Sequence, residues 1–181
     1  VKLLRDFEQR DADRLKGELE LARKVQRAML PDVLPVVRGL DLAAYSESAF
    51  EASGDFYDVF ELGDADVDRE IGVVVCDVAG KGVASALVMS ATRAALRAEA
   101  QSASSPAVVL AKVNNTLAAS VPAGLFVTIF YGIYEPSSRR LRYSSAGHPH
   151  PLRGSLHRDG VEELENYGLP LGLVAGTEYE D

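Results

Sequence analysis

The sequence has one cysteine, so no disulfide can close within the chain, and this usage suits a reducing, cytoplasmic setting. Cys76 lies inside an apolar run and reads as a small buried hydrophobe rather than a reactive thiol. No apolar run approaches the ~18–20 residues that cross a bilayer, and no charged-then-apolar leader opens the chain. The reading therefore expects neither a membrane span nor secretion. Basic residues nowhere form a block and the formal net charge is −8, so nucleic acid is not an expected partner: binding a phosphate backbone requires a basic face. The chain also begins at Val1 without an initiator Met, which suggests an N-terminus inside a longer polypeptide. What is present is 181 residues, 47% of them hydrophobic, enough for one domain with a real core plus an appendage.

Residues 2–30 contain no Pro and read as one helix, stopped by Pro31 and Pro35. Leu15, Leu19, Ala22 and Met29 follow a near-heptad seam with Gln26 at the skipped position. Such a stripe either pairs with a second helix or docks on the domain's own core. Beyond Pro35, residues 40–46, 56–62 and 71–78 are short β-rich runs, with an acidic hairpin loop at 63–69. Residues 83–100 form a helix with Ala84, Leu87, Val88, Ala91, Ala95 and Ala98 on one face. Ser105 and Pro106 are a cap and first turn, and Val109, Leu110, Val113 and Leu117 are the buried stripe that follows. Strands return at 125–134 and 141–145, with shorter runs at 151–153 and 161–164. Strands, two helices, then strands with hairpin-length links predict an α+β domain with antiparallel sheets.

Two constellations point to chemistry. In residues 53–58 (SGDFYD), Asp55 beside Gly54 at the start of a strand suits a hard-cation ligand, although a Gly-Asp turn is also common as a mere turn. In residues 73–83 (VVVCDVAGKGV) an apolar strand ends in Asp77 and turns through Gly80, Lys81 and Gly82 into a helix. A carboxylate there needs pairing or a metal to offset desolvation, and the helix N-terminus suits a phosphate or hydroxide. An ordinary strand–turn–helix with an Asp cap is the structural alternative. A nucleotide P-loop is excluded, because Val75 and Gly82 occupy its required Gly and Ser/Thr positions. Asp64, Asp66 and Asp68 imitate a calcium loop, but Arg69 and Val75 replace its Gly and closing Glu. His148 and His150 have no third ligand close in sequence and read as loop histidines.

The helix end at 21–31 (LARKVQRAMLP), SGDFYD, residues 77–89 (DVAGKGVASALVM), Asn114 with Leu117, residues 126–128 (FVT), 145–149 (SAGHP) and 168–172 (GLPLG) occur in one order. In that order and spacing the chain resembles metal-dependent PPM-type (type-2C) protein serine/threonine phosphatases of the bacterial SpoIIE/RsbU branch. The resemblance implies an αββα sandwich of two antiparallel sheets flanked by helices, here preceded by a long N-terminal helix. It implies hydrolysis of phosphoserine or phosphothreonine by water held on two Mn²⁺ or Mg²⁺ ions. Asp55 and Asp77 match metal-ligand positions, the carbonyl of Val78 matches a backbone ligand, and Asp58 is a weaker match. Gly80, Lys81 and Gly82 are candidate phosphate contacts; Lys81 stands where some relatives have His, and Ser53 where a Gly is usual.

The family's closing strand, with a Thr-Asp-Gly motif and a later Asp, does not occur before Asp181, so the reading expects a chain cut short of its full metal shell and inactive as it stands. It expects 1–30 to be a linker or dimerisation helix attached to an upstream sensor, and 31–181 to be the phosphatase domain without its C-terminal segment. The implied substrate is a phosphorylated anti-anti-sigma protein of the STAS type. The other reading is a catalytically silent module that keeps the fold and its partner surface. Residues 177–181 are expected to begin an unpaired strand.

Overall fold

A computed structural model describes residues 2–47, 53–63, 69–102, 105–122, 124–155 and 158–181. The elements run α1 (Lys2–Arg27), β1 (Phe56–Leu62), β2 (Glu70–Val78), α2 (Val83–Ala100), α3 (Pro106–Ser120), β3 (Val127–Glu135), β4 (Arg140–Ala146), β5 (Leu152–Ser155) and β6 (Arg158–Glu163). β1 to β4 form one antiparallel sheet in chain order, and β5 pairs with β6 as a two-stranded ribbon. This is the expected α+β class, with the two sheets filled unequally. Asp64, Asp66 and Asp68 lie outside the described residues.

Side-chain alternation divides the large sheet into two faces. Phe56, Phe60, Val74, Cys76, Val78, Val127, Ile129, Tyr131 and Ile133 point to one side and join a core with α2 and α3. Leu96, Val109, Leu110 and Val113 are fully buried there, and each large aliphatic side chain contributes about 1.5–3 kcal/mol on burial. Cys76 is buried in this core, and burial pushes its thiol well above the usual range, so it packs as a hydrophobe. On the opposite face Ile71 and Phe130 are buried, whereas Val75 and Leu141 are exposed.

α3 follows its sequence closely. The Val108 N–H donates to the Ser105 hydroxyl at 3.3 Å, Pro106 opens the first turn, and all four expected stripe residues are buried. α2 is rotated from the expected face: Ser85, Val88, Met89, Thr92, Leu96 and Ala100 are buried, while Leu87 is 66% exposed. Ser85 and Thr92 can face inward because their hydroxyls donate back to the carbonyls of Gly82 and Val88, at 2.9 and 2.8 Å. Leu87 and Val83 instead line a groove against Leu21, Ala22, Val25 and Met29 of the α1 segment.

Two expected strands are not strands. Residues 40–46 form no ladder; only Leu40 pairs, with Val37, because no neighbouring strand edge meets the segment in register. Residues 177–181 are docked rather than frayed. The Glu180 carbonyl accepts from the Ser144 hydroxyl at 2.7 Å and from the Asn166 amide at 3.0 Å. Asp181 accepts from the Ala107 N–H at 2.7 Å, placing a carboxylate on the positive end of α3.

The recurring motifs lock together at this end of the sheet. Leu171 exchanges both backbone hydrogen bonds with Val127, at 3.0 and 2.8 Å. Buried Asn114 on α3 accepts from the Gly172 N–H at 2.9 Å and donates to the Val174 carbonyl at 2.8 Å. A side chain at Gly147 would strike Pro170 at 2.6 Å, and one at Gly168 would strike the Ser145 carbonyl.

Asp58, the weaker metal-ligand candidate, is corrected by the fold. It sits on the core face of β1, 0% exposed, where it accepts two hydrogen bonds from Arg97 of α2 at 2.6 and 2.7 Å. Arg93 Nε lies 3.0 Å from the same carboxylate, though not in line for a hydrogen bond. The Arg97 guanidinium also stacks over Phe60, 4.6 Å from the ring centroid. The carboxylate is fully used in fastening α2 to β1, and alternation turns it away from Asp55 and Asp77. Asp58→Ala leaves two arginines facing an empty site and is expected to cost about 3 kcal/mol. Urea unfolding measures this; a loss below about 1 kcal/mol would show the pair to be incidental.

Candidate metal centre

The site begins with strand register. Phe56 pairs with Cys76 in the β1–β2 ladder, so the next position places Asp55 across from Asp77. Both side chains then point to the sheet face away from the helices. Directly opposed residues hold their Cβ atoms about 4.5–5.5 Å apart, and like charges there are destabilising. The consequence is visible at Asp55, whose carboxyl is pushed up to about 6 by burial, by a hydrogen bond with Asp77 and by the charge of Asp77. A proton or a cation between the two relieves the repulsion.

The Ser53–Gly54 turn delivers Asp55 to this position. The Asp55 N–H donates to the Ser53 hydroxyl at 3.1 Å, so Ser in place of the usual Gly adds a hydrogen bond to the turn. Gly54 passes directly over the end of β2: an added Cβ would lie 2.8 Å from the Val78 carbonyl oxygen and 3.2 Å from Ser85 Cβ. The Val78 carbonyl is thereby held against the turn that carries Asp55.

Asp77 pairs with Thr128 on its other side, and Ile129 bridges Gly147 in parallel. This bridge brings His148 beside Thr128, with His148 Nδ1 3.0 Å from Thr128 Oγ1. Burial lowers the imidazole's pKa, and the Asp77 charge and a hydrogen bond at Thr128 act against that shift. His148, set aside in the sequence as a loop histidine, therefore belongs to the site. Its signal is Gly147 at φ 67°, which turns the chain so that the residue after it faces Thr128. His150 does not join it, standing instead edge-on to Tyr167 with ring centroids 4.9 Å apart.

These groups open into a cleft of about 320 Å³ lined by Tyr45, Ser46, Glu47, Asp55, Tyr57, Asp77 and His148, among others. Gly80, Lys81 and Gly82 are not in that lining. Gly80 and Gly82 take φ of 104° and 77° to turn β2 into α2, and the Gly82 carbonyl accepts the α2 bond from Ala86 at 3.2 Å. Among the described residues no three His, Cys, Asp or Glu side chains stand close enough to hold a cation together. The donors that would suit one are the Asp55 and Asp77 carboxylates, which line the cleft, with the Val78 carbonyl, which lies at the Gly54 turn outside that lining; all are oxygen, as hard cations require.

The family described as Stage II sporulation protein E (SpoIIE) matches residues 67–181, more than half of the chain. The chain belongs to the SpoIIE family. It is 32% identical to Phosphoserine phosphatase RsbU of Bacillus subtilis (strain 168), over 92% of this chain and 48% of RsbU. It thus spans about half the length of that relative. A crystal structure of the RsbU and RsbW domains of a Mycobacterium tuberculosis protein is similar at 30% identity and a TM-score of 0.60, over 74% of this chain and 36% of that one. The SiaA-PP2C domain of Pseudomonas aeruginosa shares the fold, at 22% identity and a TM-score of 0.64, over 93% of this chain and 67% of that one.

The raised Asp55 pKa has a signed consequence. An acid whose pKa rises from 3.8 to about 6 on folding holds its proton more tightly in the folded chain. Folding then takes up a proton between those values, and stability falls as pH rises through them. Without divalent cations, Asp55→Asn is expected to raise the melting temperature by a few degrees at pH 7.5, and the gain should vanish near pH 4. Equal melting of the two proteins at pH 7.5 would show that the carboxylates are not strained against each other.

Proposed function

We propose that this chain is the core of a cytoplasmic, Mn²⁺- or Mg²⁺-dependent protein serine/threonine phosphatase acting in sigma-factor signalling. The observation that carries the reading is the register-enforced pair Asp55–Asp77, two carboxylates held where only a proton or cation reconciles them. The name of RsbU and the membership of the SpoIIE family support the phosphatase class. The substrate we assign is a phosphorylated anti-anti-sigma protein of the STAS type.

In the reaction water adds to phosphorus, the serine or threonine oxygen–phosphorus bond breaks, and a proton passes to the departing oxygen. Bound divalent cations supply a lowered water pKa and neutralise charge on the phosphoryl oxygens. Asp55, Asp77 and the Val78 carbonyl hold the cation. Thr128 orients the His148 ring on the flank of the cleft. Gly80, Lys81 and Gly82 remain candidate phosphate contacts at the start of α2, to be reached by a phosphoryl group extending beyond the cleft wall.

One observation favours a second reading, a silent binding module of the same fold. The described residues offer two carboxylates and one carbonyl, well short of six donors per hard cation. On that ground the 181-residue chain by itself is expected to bind Mn²⁺ only weakly, with Kd on the order of 1 mM, and to turn over little substrate. The test that separates the readings uses the natural full-length polypeptide. Asp77→Asn is expected to lower Mn²⁺-dependent release of phosphate from a phosphoserine peptide by at least ~100-fold with melting preserved. Turnover equal to that of the unaltered protein would remove Asp77 from the site, and no turnover in either would favour the silent module.

Residues 1–30 we assign to a linker helix that joins an upstream sensor and pairs with a second copy. The expected seam is split in the structure. Leu19, Gln26 and Met29 are half-buried, whereas Leu15, 58% exposed, and Ala22 are open to solvent. Pairing therefore falls to the part of α1 around Leu15. Leu15→Asp with Leu19→Asp is expected to shift sedimentation from dimer to monomer; the same species in both proteins would leave α1 as an intramolecular strut.

A further inference from the structure

We propose that Gln26 is a positioning residue for Asp55, acting through the backbone of Ser53; the proposal rests on the metal-site reading above. Gln26 stands at the C-terminal end of α1, 27 residues from the turn it touches. Its Oε1 accepts from the Ser53 N–H at 3.1 Å, and its Nε2 donates to the Ser53 carbonyl. Both backbone groups of Ser53 are thereby satisfied by one side chain, as a neighbouring strand would satisfy them.

The clamp acts where the sheet does not. The β1–β2 ladder begins at Phe56, so residues 53–55 lie beyond its last pair. Besides Gln26, the turn is held by the Ser53 hydroxyl on the Asp55 N–H and by Gly54 seated on Val78. Tyr57, one residue into β1, adds a second tie by donating to the Pro31 carbonyl at 3.5 Å. Asp55 lies across from a like carboxylate, and a turn with no ladder pair of its own is free to move away from Asp77. An anchor on Ser53 resists that movement and keeps the two oxygen donors converged for a cation.

Only a side chain with one donor and one acceptor on adjacent atoms matches a backbone N–H and C=O together. Asn has the chemistry without the reach. Glu has the reach and offers two acceptors, leaving the Ser53 carbonyl against a carboxylate. The seam position where a coiled coil would take an apolar residue is occupied by Gln because the contact is made to the site turn.

The test uses the full-length protein with three variants: Gln26→Ala, Gln26→Glu, and Leu30→Ala. Leu30 packs against the core just past the end of α1 and makes no hydrogen bond to the Ser53 turn with its apolar side chain, so it reports on helix docking. Both Gln26 variants are expected to weaken Mn²⁺ binding by calorimetry ~10-fold or more, with the phosphopeptide KM within about twofold. In the metal-free protein they are expected to speed amide exchange at residues 53–55. Leu30→Ala is expected to lower the melting temperature and leave Mn²⁺ affinity unchanged. Unchanged exchange at 53–55 in Gln26→Ala would overturn the clamp whether or not metal binds. Equal loss of Mn²⁺ affinity in Leu30→Ala would overturn it in favour of general docking of α1. If the unaltered protein binds no Mn²⁺, the metal reading of the site fails and the positioning role fails with it, although the exchange measurement would still report the contact.

Discussion

The antiparallel register of β1 on β2 is the constraint on which the site depends. Pairing Phe56 with Cys76 commits the core-facing side chains to α2 and α3, and by the same alternation commits Asp55 and Asp77 to the other face. A slip of one residue would send Asp77 into the core and Asp58 out of it. The burial of Phe56, Phe60, Val74 and Cys76 therefore fixes the geometry of two carboxylates that contribute nothing to the core. Stability from apolar packing maintains a local electrostatic strain.

Around that pair the fold distributes two kinds of polar work. Asp58, three residues further along and on the core face, is paired with arginines of α2 and holds the helix to the sheet. Asn114, Leu171 and the close approaches at Gly147 and Gly168 do similar work at the end of the sheet that carries Asp77, binding residues 168–174 to α3, β3 and β4. Motifs that look in sequence like one catalytic set thus divide into a small group facing the cleft and a larger group that keeps β2, β3 and the following loops in position. Buried polar groups that are paired, as Asp58 and Asn114 are, favour a single arrangement of such a framework.

α1 links the region outside the sheet to the site. Its C-terminal end meets α2 through an apolar groove that includes Leu21 and meets the Ser53 turn through Gln26, while Leu15 further up the helix is exposed. One helix therefore touches the start of α2 and the turn carrying Asp55, on either side of the end of β2.

Local pattern determined a good deal. β1, β2 and β3 have runs of apolar and β-branched residues, and α3 has Ser105, Pro106 and an uninterrupted stripe; both signals depend only on residues near in sequence. Asp77 at the end of an apolar strand was legible for the same reason, and Asp55 beside Gly54 was legible as a turn. Other features were decided only in three dimensions. The face of α2 turned because Ser85 and Thr92 could satisfy themselves internally, leaving Leu87 for α1. Residues 40–46 lost their strand for want of a partner edge, and 177–181 gained anchors on Ser144 and α3. Asp58 met Arg97 39 residues away, Thr128 met His148 20 residues away, and Gln26 met Ser53 27 residues away. Periodicity in a sequence specifies which side of an element is apolar, but strand register and helix docking choose the polar partners, and those choices exist only once the sheet has formed.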